Sequence, residues 1–183
     1  MLASTAASAQ GLFIDKPMQD GTRHIASYYE YIHQNGFDAH PVGFGIHAIT
    51  LDGNVQAYAL GVKYASAINM QIPEGSLLLL KCPDGTVIEG KQHLDAVDTD
   101  DHMLVDAFAG TRYFITGRYT ISYDDLQKLC KDGIVKLRIE CEGNPINREY
   151  STRKAKKIAK HFTRSFNAIK AAIKSPKDIR DGF

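Results

Sequence analysis

Residues 151–175 read STRKAKKIAKHFTRSFNAIKAAIKS, and the apolar residues in this stretch recur three or four positions apart. That spacing places side chains on one side of an α-helix. Ser151 is a suitable N-cap and the Ser175-Pro176 pair a suitable end, so we predict an amphipathic helix over 152–174. Its apolar stripe consists of Ala155, Ile158, Ala159, Phe162, Phe166, Ile169 and Ile173. Such a stripe needs a surface to pack on, and the preceding residues must supply it.

Those preceding residues show the alternation of apolar and polar side chains that is typical of β-strands. Two turn signals predict hairpins, because proline presets φ and glycine accepts a left-handed backbone. The hairpins join Val42–Ala48 to Val55–Ala65 through Asp52-Gly53, and Ser76–Cys82 to Thr86–Gly90 through Pro83-Asp84-Gly85. Further strands are predicted at Thr22–His33, Arg112–Ile121 and Ile134–Glu142.

Two segments are compatible with either a helix or a strand. Thr22–His33 fits a helical stripe as well as a strand, and its density of Tyr and Ile decides for the strand. Met103–Ala109 fits either a short helix or a strand. By contrast, Ser122 is a clear N-cap for a short helix near 123–132 that ends at Gly133. Acidic residues follow it in the first turn of this helix.

The predicted fold class is therefore α+β. We expect a mainly antiparallel β-sheet or sandwich of about seven strands, with the short helix near 123–132 and the long C-terminal helix 152–174. A chain of 183 residues with 44% apolar and 23% charged residues is typical of one globular domain, here residues 11–183, and not of a disordered protein. No stretch approaches the roughly 18 consecutive apolar residues of a transmembrane helix.

Residues 1–10 read MLASTAASAQ and are small and uncharged. Ala7 and Ala9 have the spacing that signal peptidase requires, with a cut after Ala9. A basic n-region is missing, so we interpret the segment as the residual tail of a signal peptide, the alternative being a flexible, disordered tail. Gln10 stands where a lipid anchor would need a cysteine.

Charge is distributed unevenly along the chain. Residues 1–152 hold 12 Lys and Arg against 19 Asp and Glu, whereas residues 153–183 hold 10 Lys and Arg against two Asp. The simplest use of the basic helix is intramolecular, with its phenylalanines on the sheet and its basic flanks facing the acidic body. The alternative is an external anionic partner, for which the candidate surface residues are Lys156, Lys157, Lys160 and Arg164. Because the polar face lacks aromatic residues for base stacking, no nucleic-acid partner is expected.

The segment His93–His102 reads HLDAVDTDDH and is the one candidate metal site. Its candidate ligands are His93, Asp95, Asp98, Asp100 and His102. An EF-hand counted from Asp95 fails, since Asp100 and Asp106 occupy the positions of the required glycine and glutamate. A solvated acidic loop is the favoured interpretation, and no cofactor is expected.

Other chemistry-bearing residues show no recognisable pattern. Cys82, Cys130 and Cys141 are read as small buried side chains, with a Cys82–Cys141 bridge as the alternative. Nucleophile-elbow and phosphate-loop motifs are absent. His47 lies on the strand face opposite Phe44 and is expected at a surface or interface. His24 and His33 lie at opposite ends of Thr22–His33, and nothing in the sequence pairs them. The Gly43-Phe44-Gly45 run indicates a bulge or close backbone packing.

Several short motifs occur in a familiar order between residues 20 and 174. They are Asp20-Gly21-Thr22-Arg23, Gly75–Lys81 (GSLLLLK), Asp84–Ile88 (DGTVI), Tyr119–Ser122 (YTIS) and Gly133–Glu140 (GIVKLRIE), followed by the Lys-rich helix. In this the chain resembles small exported β-rich proteins of unknown function from Bacteroidetes-type bacteria. The resemblance implies export and a β-rich fold, and it transfers no activity and no site residue.

Together these features predict an exported, non-enzymatic binding or structural module of the bacterial envelope. We expect a periplasmic or secreted location, with the cytoplasm as the alternative, and an unknown protein or an envelope surface as the partner. The rival hypothesis is a metal-dependent or hydrolase-like enzyme that uses the 93–102 cluster.

Overall fold

The computed structural model describes residues 12–33, 41–66, 70–92, 104–106 and 110–175. Eleven strands and two helices lie in these ranges. The strands are β1 (Leu12–Pro17), β2 (Arg23–Ser27), β3 (Glu30–Ile32), β4 (Val42–Leu51), β5 (Asn54–Ser66), β6 (Leu77–Lys81), β7 (Val87–Gln92), β8 (Leu104–Asp106), β9 (Gly110–Ile121), β10 (Lys136–Ile139) and β11 (Ile146–Glu149). The helices are α1 (Tyr123–Asp132) and α2 (Thr152–Lys174).

All the described strand pairs are antiparallel, and they form one continuous path in the order β1-β2-β4-β5-β9-β7-β6-β10-β11. β3 continues the line of β2 along β4, and β8 pairs with β9. The α+β class is confirmed. The sequence left open whether the strands form a single sheet or a sandwich. The described strands form a sheet, and their number exceeds the predicted seven.

The sheet curls strongly about its core side. Arg148 on β11 donates a hydrogen bond from Nη2 to Tyr64 Oη on β5 over 3.0 Å, although four strands separate β5 from β11 in the sheet order. In a flat sheet these strands would be about 24 Å apart, at about 4.8 Å per strand. The curl therefore wraps the strands around the side chains of the hydrophobic core.

Helix α2 packs its predicted apolar stripe against this sheet and against α1. Phe162 is fully buried and meets Phe44 of β4 edge to face, while Phe166 is 3% exposed and meets the rings of Tyr58 and Tyr123. These contacts confirm the prediction that the two phenylalanines anchor the C-terminal helix on a sheet from the same chain. The described residues include no helix long and apolar enough to cross a bilayer.

The central strands present two different sides. The core face carries large side chains such as Phe44 on β4, Leu60 on β5 and Tyr119 on β9, all essentially buried. The second face is the opposite side of β2, β4, β5 and β9. By the strand registers its residues include His24, Ala26, Gly45, His47, Ala57, Ala59, Gly61, Arg118 and Thr120. It is therefore built mostly from small residues, with a few large polar ones among them.

A β-bulge divides the predicted Thr22–His33 strand into β2 and β3. Three residues, 27–29, lie opposite only two residues of β4, and Ile46 N–H donates to Ser27 Oγ over 2.9 Å. An extra residue reverses which side chains point to which face. His24 before the bulge and Tyr29 after it consequently share the second face.

The other differences from prediction concern short strands at or next to the two ends of the sheet. β1 and β11 lie at the two ends of the strand order and were not predicted, and β10 is shorter than the predicted Ile134–Glu142. Edge strands are commonly short and rich in charged residues, which blurs the alternation that reveals a strand. Met103–Ala109, for which the sequence allowed a short helix or a strand, contains the strand β8.

Candidate functional site

The predicted basic surface lies on the outer side of α2, away from the sheet. Because the apolar stripe faces the core, Lys156, Lys157 and Lys160 are all exposed, and the side chain of Arg164 is 70% exposed. We call the surface formed by Arg153, Lys156, Lys157, Lys160 and Arg164 the basic face. It contains no acidic residue.

Within the described ranges, the expected pairing of this helix with the acidic body involves only a few side chains. Arg164 pairs with Glu30 of β3, and Lys154 Nζ donates to the main-chain oxygen of His33. Across the described ranges, Lys156, Lys157 and Lys160 form neither an ion pair nor a hydrogen bond through their side chains. Their charges are thus directed to solvent rather than to the body.

A buried histidine bonds α2 to β4 and lies beside β3. His161 is 4% exposed, and its Nε2 donates to the main-chain oxygen of Phe44 over 2.9 Å. Its Nδ1 lies 2.9 Å from Oε2 of Glu30. Glu30 therefore contacts both His161 and Arg164 on α2, an arrangement that sequence reasoning missed because these residues are more than 130 positions from Glu30.

The candidate metal ligands of the 93–102 segment lie outside the described residues. Within the described ranges, no group of three or more His, Cys, Asp or Glu side chains is placed to hold a metal ion. The metal-dependent alternative stays an untested prediction.

The three cysteines are free thiols, so Cys82 and Cys141 do not form the alternative bridge. Burial raises the pKa of Cys130 to about 11, despite its hydrogen bond with Thr163 and the nearby charge of Lys170. Burial likewise raises the pKa of Cys82 and of Cys141. Raised thiol pKa values oppose thiolate formation, which argues against a nucleophilic role for these cysteines.

A chain of three polar side chains lies on the second face. His24 Nε2 is 3.0 Å from His47 Nδ1, and Tyr29 Oη is 3.1 Å from His47 Nε2. The two imidazoles also stack, with centroids 5.3 Å apart. His47 is 3% exposed and His24 7%, so this is a buried polar cluster. His47 lies on the predicted side of its strand, opposite Phe44, but it is buried and not exposed at a surface as predicted.

Gly61 on β5 leaves room for the linked side chains of Tyr29, His47 and His24. A Cβ atom built on Gly61 would lie 2.5 Å from Nε2 of His47 and closer still to the hydroxyl of Tyr29. Any larger residue would separate the two groups. On β4 the ring of Tyr31 lies against Gly43 and that of Tyr29 against Gly45, which confirms the close packing predicted for the Gly43-Phe44-Gly45 run.

The surroundings of His47 keep its imidazole neutral. Burial is the largest cause, and the positive charge of Arg118, the neighbouring His24 and the charge of Lys63 add to it, lowering the pKa of His47 to about 3. Lys63 Nζ also lies 4.9 Å from the centroid of the Tyr29 ring. A neutral imidazole has one donor and one acceptor nitrogen, so His47 can link Tyr29 to His24 in either direction of hydrogen bonding.

A cavity of about 360 Å³ opens on this part of the second face. Its lining includes His24, His47, Arg118 and Thr120 from the strands and Met18 and Asp20 from the turn after β1. Sequence reasoning did not assemble this site because His24 and His47 are 23 positions apart and meet only through the β2–β4 pairing. The sequence feature that could have indicated a cavity here is the series of glycines and alanines along one face of β4 and β5.

No protein-family model, curated protein or solved structure significantly matches this chain. The fold and the two sites therefore have to be interpreted from their own geometry.

Proposed function

We propose that this chain is a non-enzymatic binding module that docks on an anionic phospholipid surface through the basic face of α2. The observation that carries the proposal is the exposure of Lys156, Lys157 and Lys160 on a helix whose apolar side is already occupied by the sheet. An envelope membrane would supply such a surface if the chain is exported as expected.

The placement of these charges is unfavourable for the helix itself. Residues Arg153 and Lys154 lie in the first turn of α2, which has no acidic residue, although the positive end of the helix dipole favours anions there. Lys156 and Lys160 are four positions apart, a spacing at which like charges repel on a helix surface. Local rules are commonly broken at functional sites, and an external anionic surface would offset both costs.

The chemistry of the basic face favours a membrane over a protein partner. Protein interfaces usually depend on buried aromatic or apolar anchors, and the basic face has none. A lipid surface presents closely spaced phosphates and needs no such anchor. Since the apolar stripe is engaged with the sheet, the contact would be electrostatic and superficial, without insertion into the hydrocarbon.

The test is flotation of the full chain with phosphatidylcholine vesicles that contain or lack phosphatidylglycerol, at low and at high salt. We expect binding only to the anionic vesicles and its loss at high salt. The variant Lys156→Gln/Lys157→Gln/Lys160→Gln should weaken binding by about 100-fold, because each lysine contributes about 1 kcal/mol near an anionic surface.

A matched control removes the same charge elsewhere. The variant Lys16→Gln/Lys81→Gln/Lys91→Gln takes three exposed lysines from strands and should retain nearly all of the binding. Equal losses in the two variants would show that net charge alone acts, and the proposal would be abandoned. Tighter binding to a DNA duplex than to anionic vesicles at matched salt would assign the basic face to nucleic acid instead.

A further inference from the structure

A groove of about 630 Å³ lies between α1 and α2 and shares residues of the basic face. The two helices pack antiparallel, since Tyr123 at the start of α1 meets Phe166, whereas Gly133 at the end of α1 lies against Ala155. The groove therefore has one helix on each side, and each helix contributes its own side chains. Sites built on helices are held more precisely than sites on loops.

Lysine side chains line the groove from both helices. Lys131 comes from the last turn of α1, and Lys156 and Lys160 come from α2. All three are exposed, and within the described ranges none of their ammonium groups has an ion pair or a hydrogen bond. The described lining residues include no acid, and the fourth cation among them, Arg164, is paired with Glu30. Three like charges around one groove repel one another, so an anion between them would be stabilising.

Two nearby groups that would repel an anion are both engaged. Asp132, next to Lys131 in the sequence, accepts a hydrogen bond from Lys128 over 3.0 Å. The main-chain oxygen of Cys130, in the last turn of α1, accepts one from the hydroxyl of Thr163 over 2.9 Å. This hydroxyl offsets the partial negative charge of a carbonyl at the C-terminal end of the helix, beside the groove.

The base of the groove is small and uncharged. Ala159 contributes a methyl group, and Cys130 contributes a half-buried thiol that stays neutral because burial raises its pKa to about 11. A bare phosphate ion would leave these groups uncovered. A phosphate that is esterified to the glycerol of a lipid can place its oxygens among the lysines and its carbon atoms against Ala159. The lining therefore favours a phospholipid headgroup over a free phosphate ion.

We propose that this groove seats the phosphate of one phospholipid headgroup, with Lys131 and Lys160 donating to its oxygens from the two helices. The inference rests on the proposed docking of α2 on an anionic membrane and names the group that is bound there. It adds Lys131, which lies on α1 outside the basic face. It leaves out Lys157, which lies on the basic face but lines a different cavity.

The test compares Lys131→Gln with Lys157→Gln, which remove the same charge from two exposed lysines. In flotation with phosphatidylglycerol vesicles, Lys131→Gln should weaken binding by about 10- to 100-fold, because it loses a charge-assisted hydrogen bond to the phosphate. Lys157→Gln should cost no more than about fivefold, the effect of one lysine near an anionic surface. Lys131→Arg keeps the charge and the donors, and it should bind like the unaltered chain.

A second measurement locates the headgroup. The short-chain lipid dihexanoyl-phosphatidylglycerol, kept below its micelle concentration, is titrated into the full ¹⁵N-labelled chain while the backbone amides are followed by NMR. We expect saturable shifts at Lys131, Thr163 and Asn167, which line the groove. Inorganic phosphate should bind more weakly, because it cannot cover the uncharged base.

The possible failures are distinguishable. If the unaltered chain does not float with phosphatidylglycerol vesicles, the membrane-docking proposal fails and this inference fails with it. If the chain floats but Lys131→Gln loses no more binding than Lys157→Gln, docking stands and the groove is not its site. Inorganic phosphate that binds as tightly as the short-chain lipid would assign the groove to free phosphate. Shifts confined to amides outside the groove would place the headgroup elsewhere.

Discussion

The ring of Phe162 on α2 meets the ring of Phe44 on β4 edge to face, with centroids 5.6 Å apart. Both residues are fully buried. This contact joins the two features that are most regular in the sequence, the helical apolar stripe and the first alternating strand. It also orients α2 so that its charged side is turned to solvent, and the basic face therefore depends on it.

We predict that Phe162→Ala lowers the free energy of unfolding by about 3–5 kcal/mol, because removal of a buried ring loses its transfer energy and leaves a cavity. Urea unfolding followed by circular dichroism measures the change. Val87→Ala is the matched control, since Val87 is 55% exposed and should cost under about 0.5 kcal/mol. A cost below about 1 kcal/mol for Phe162→Ala would mean that α2 is not anchored through this ring.

The parts of the fold that could be predicted are those with an uninterrupted period and a clear end. Ser122 and Ser151 accept hydrogen bonds from Asp125 and Lys154 as N-caps, and both helices begin at the residue after the cap. Asp52 and Gly53 both have positive φ at the turn of the β4–β5 hairpin, as the Asp-Gly signal indicates. In these cases the determinants are local in sequence.

The second-face site could not be predicted because its determinants are not local. The bulge at Ser27 breaks the period of two, so alternation counted from His24 places Tyr29 on the wrong side of the sheet. The contact between His24 and His47 requires the register of β2 on β4. The basic face, by contrast, was predictable as a cluster of residues. That Lys156, Lys157 and Lys160 pair with no acid among the described residues could be seen only in the structure.

The cross-strand pair Gly45 and Gly61 provides a test of how tightly the second face is packed. A Cβ on Gly61 would lie 2.5 Å from His47 Nε2, whereas a Cβ on Gly45 would have its nearest neighbour, the main-chain oxygen of Ser27, at 3.3 Å. We therefore expect Gly61→Ala to cost about 1–3 kcal/mol in unfolding free energy, the usual range for overpacking. Gly45→Ala should cost clearly less. Equal costs in urea unfolding would contradict the close approach of Tyr29 and His47 at Gly61.

The lowered pKa of His47 predicts a specific dependence of stability on pH. The pKa is about 3 in the native state against 6.5 for an unperturbed histidine, so between these values the unfolded chain binds a proton that the native chain does not. The contribution of His47 to stability is complete above about pH 6.5 and is lost as the pH falls toward 3, with a slope of up to about 1.4 kcal/mol per pH unit.

Unfolding free energies measured between about pH 5 and 6.5 keep the contribution of carboxylates small, because these titrate mostly at lower pH. The comparison with His47→Gln then separates His47 from the other six histidines. We expect His47→Gln to be less stable than the unaltered chain at neutral pH and to lose less stability on acidification across this window. His33→Gln, a change at an exposed histidine, should leave the slope as it is. If the His47→Gln and unaltered chains show parallel slopes, the pKa of His47 is not lowered in the native state, and the neutral link between Tyr29 and His24 is wrong.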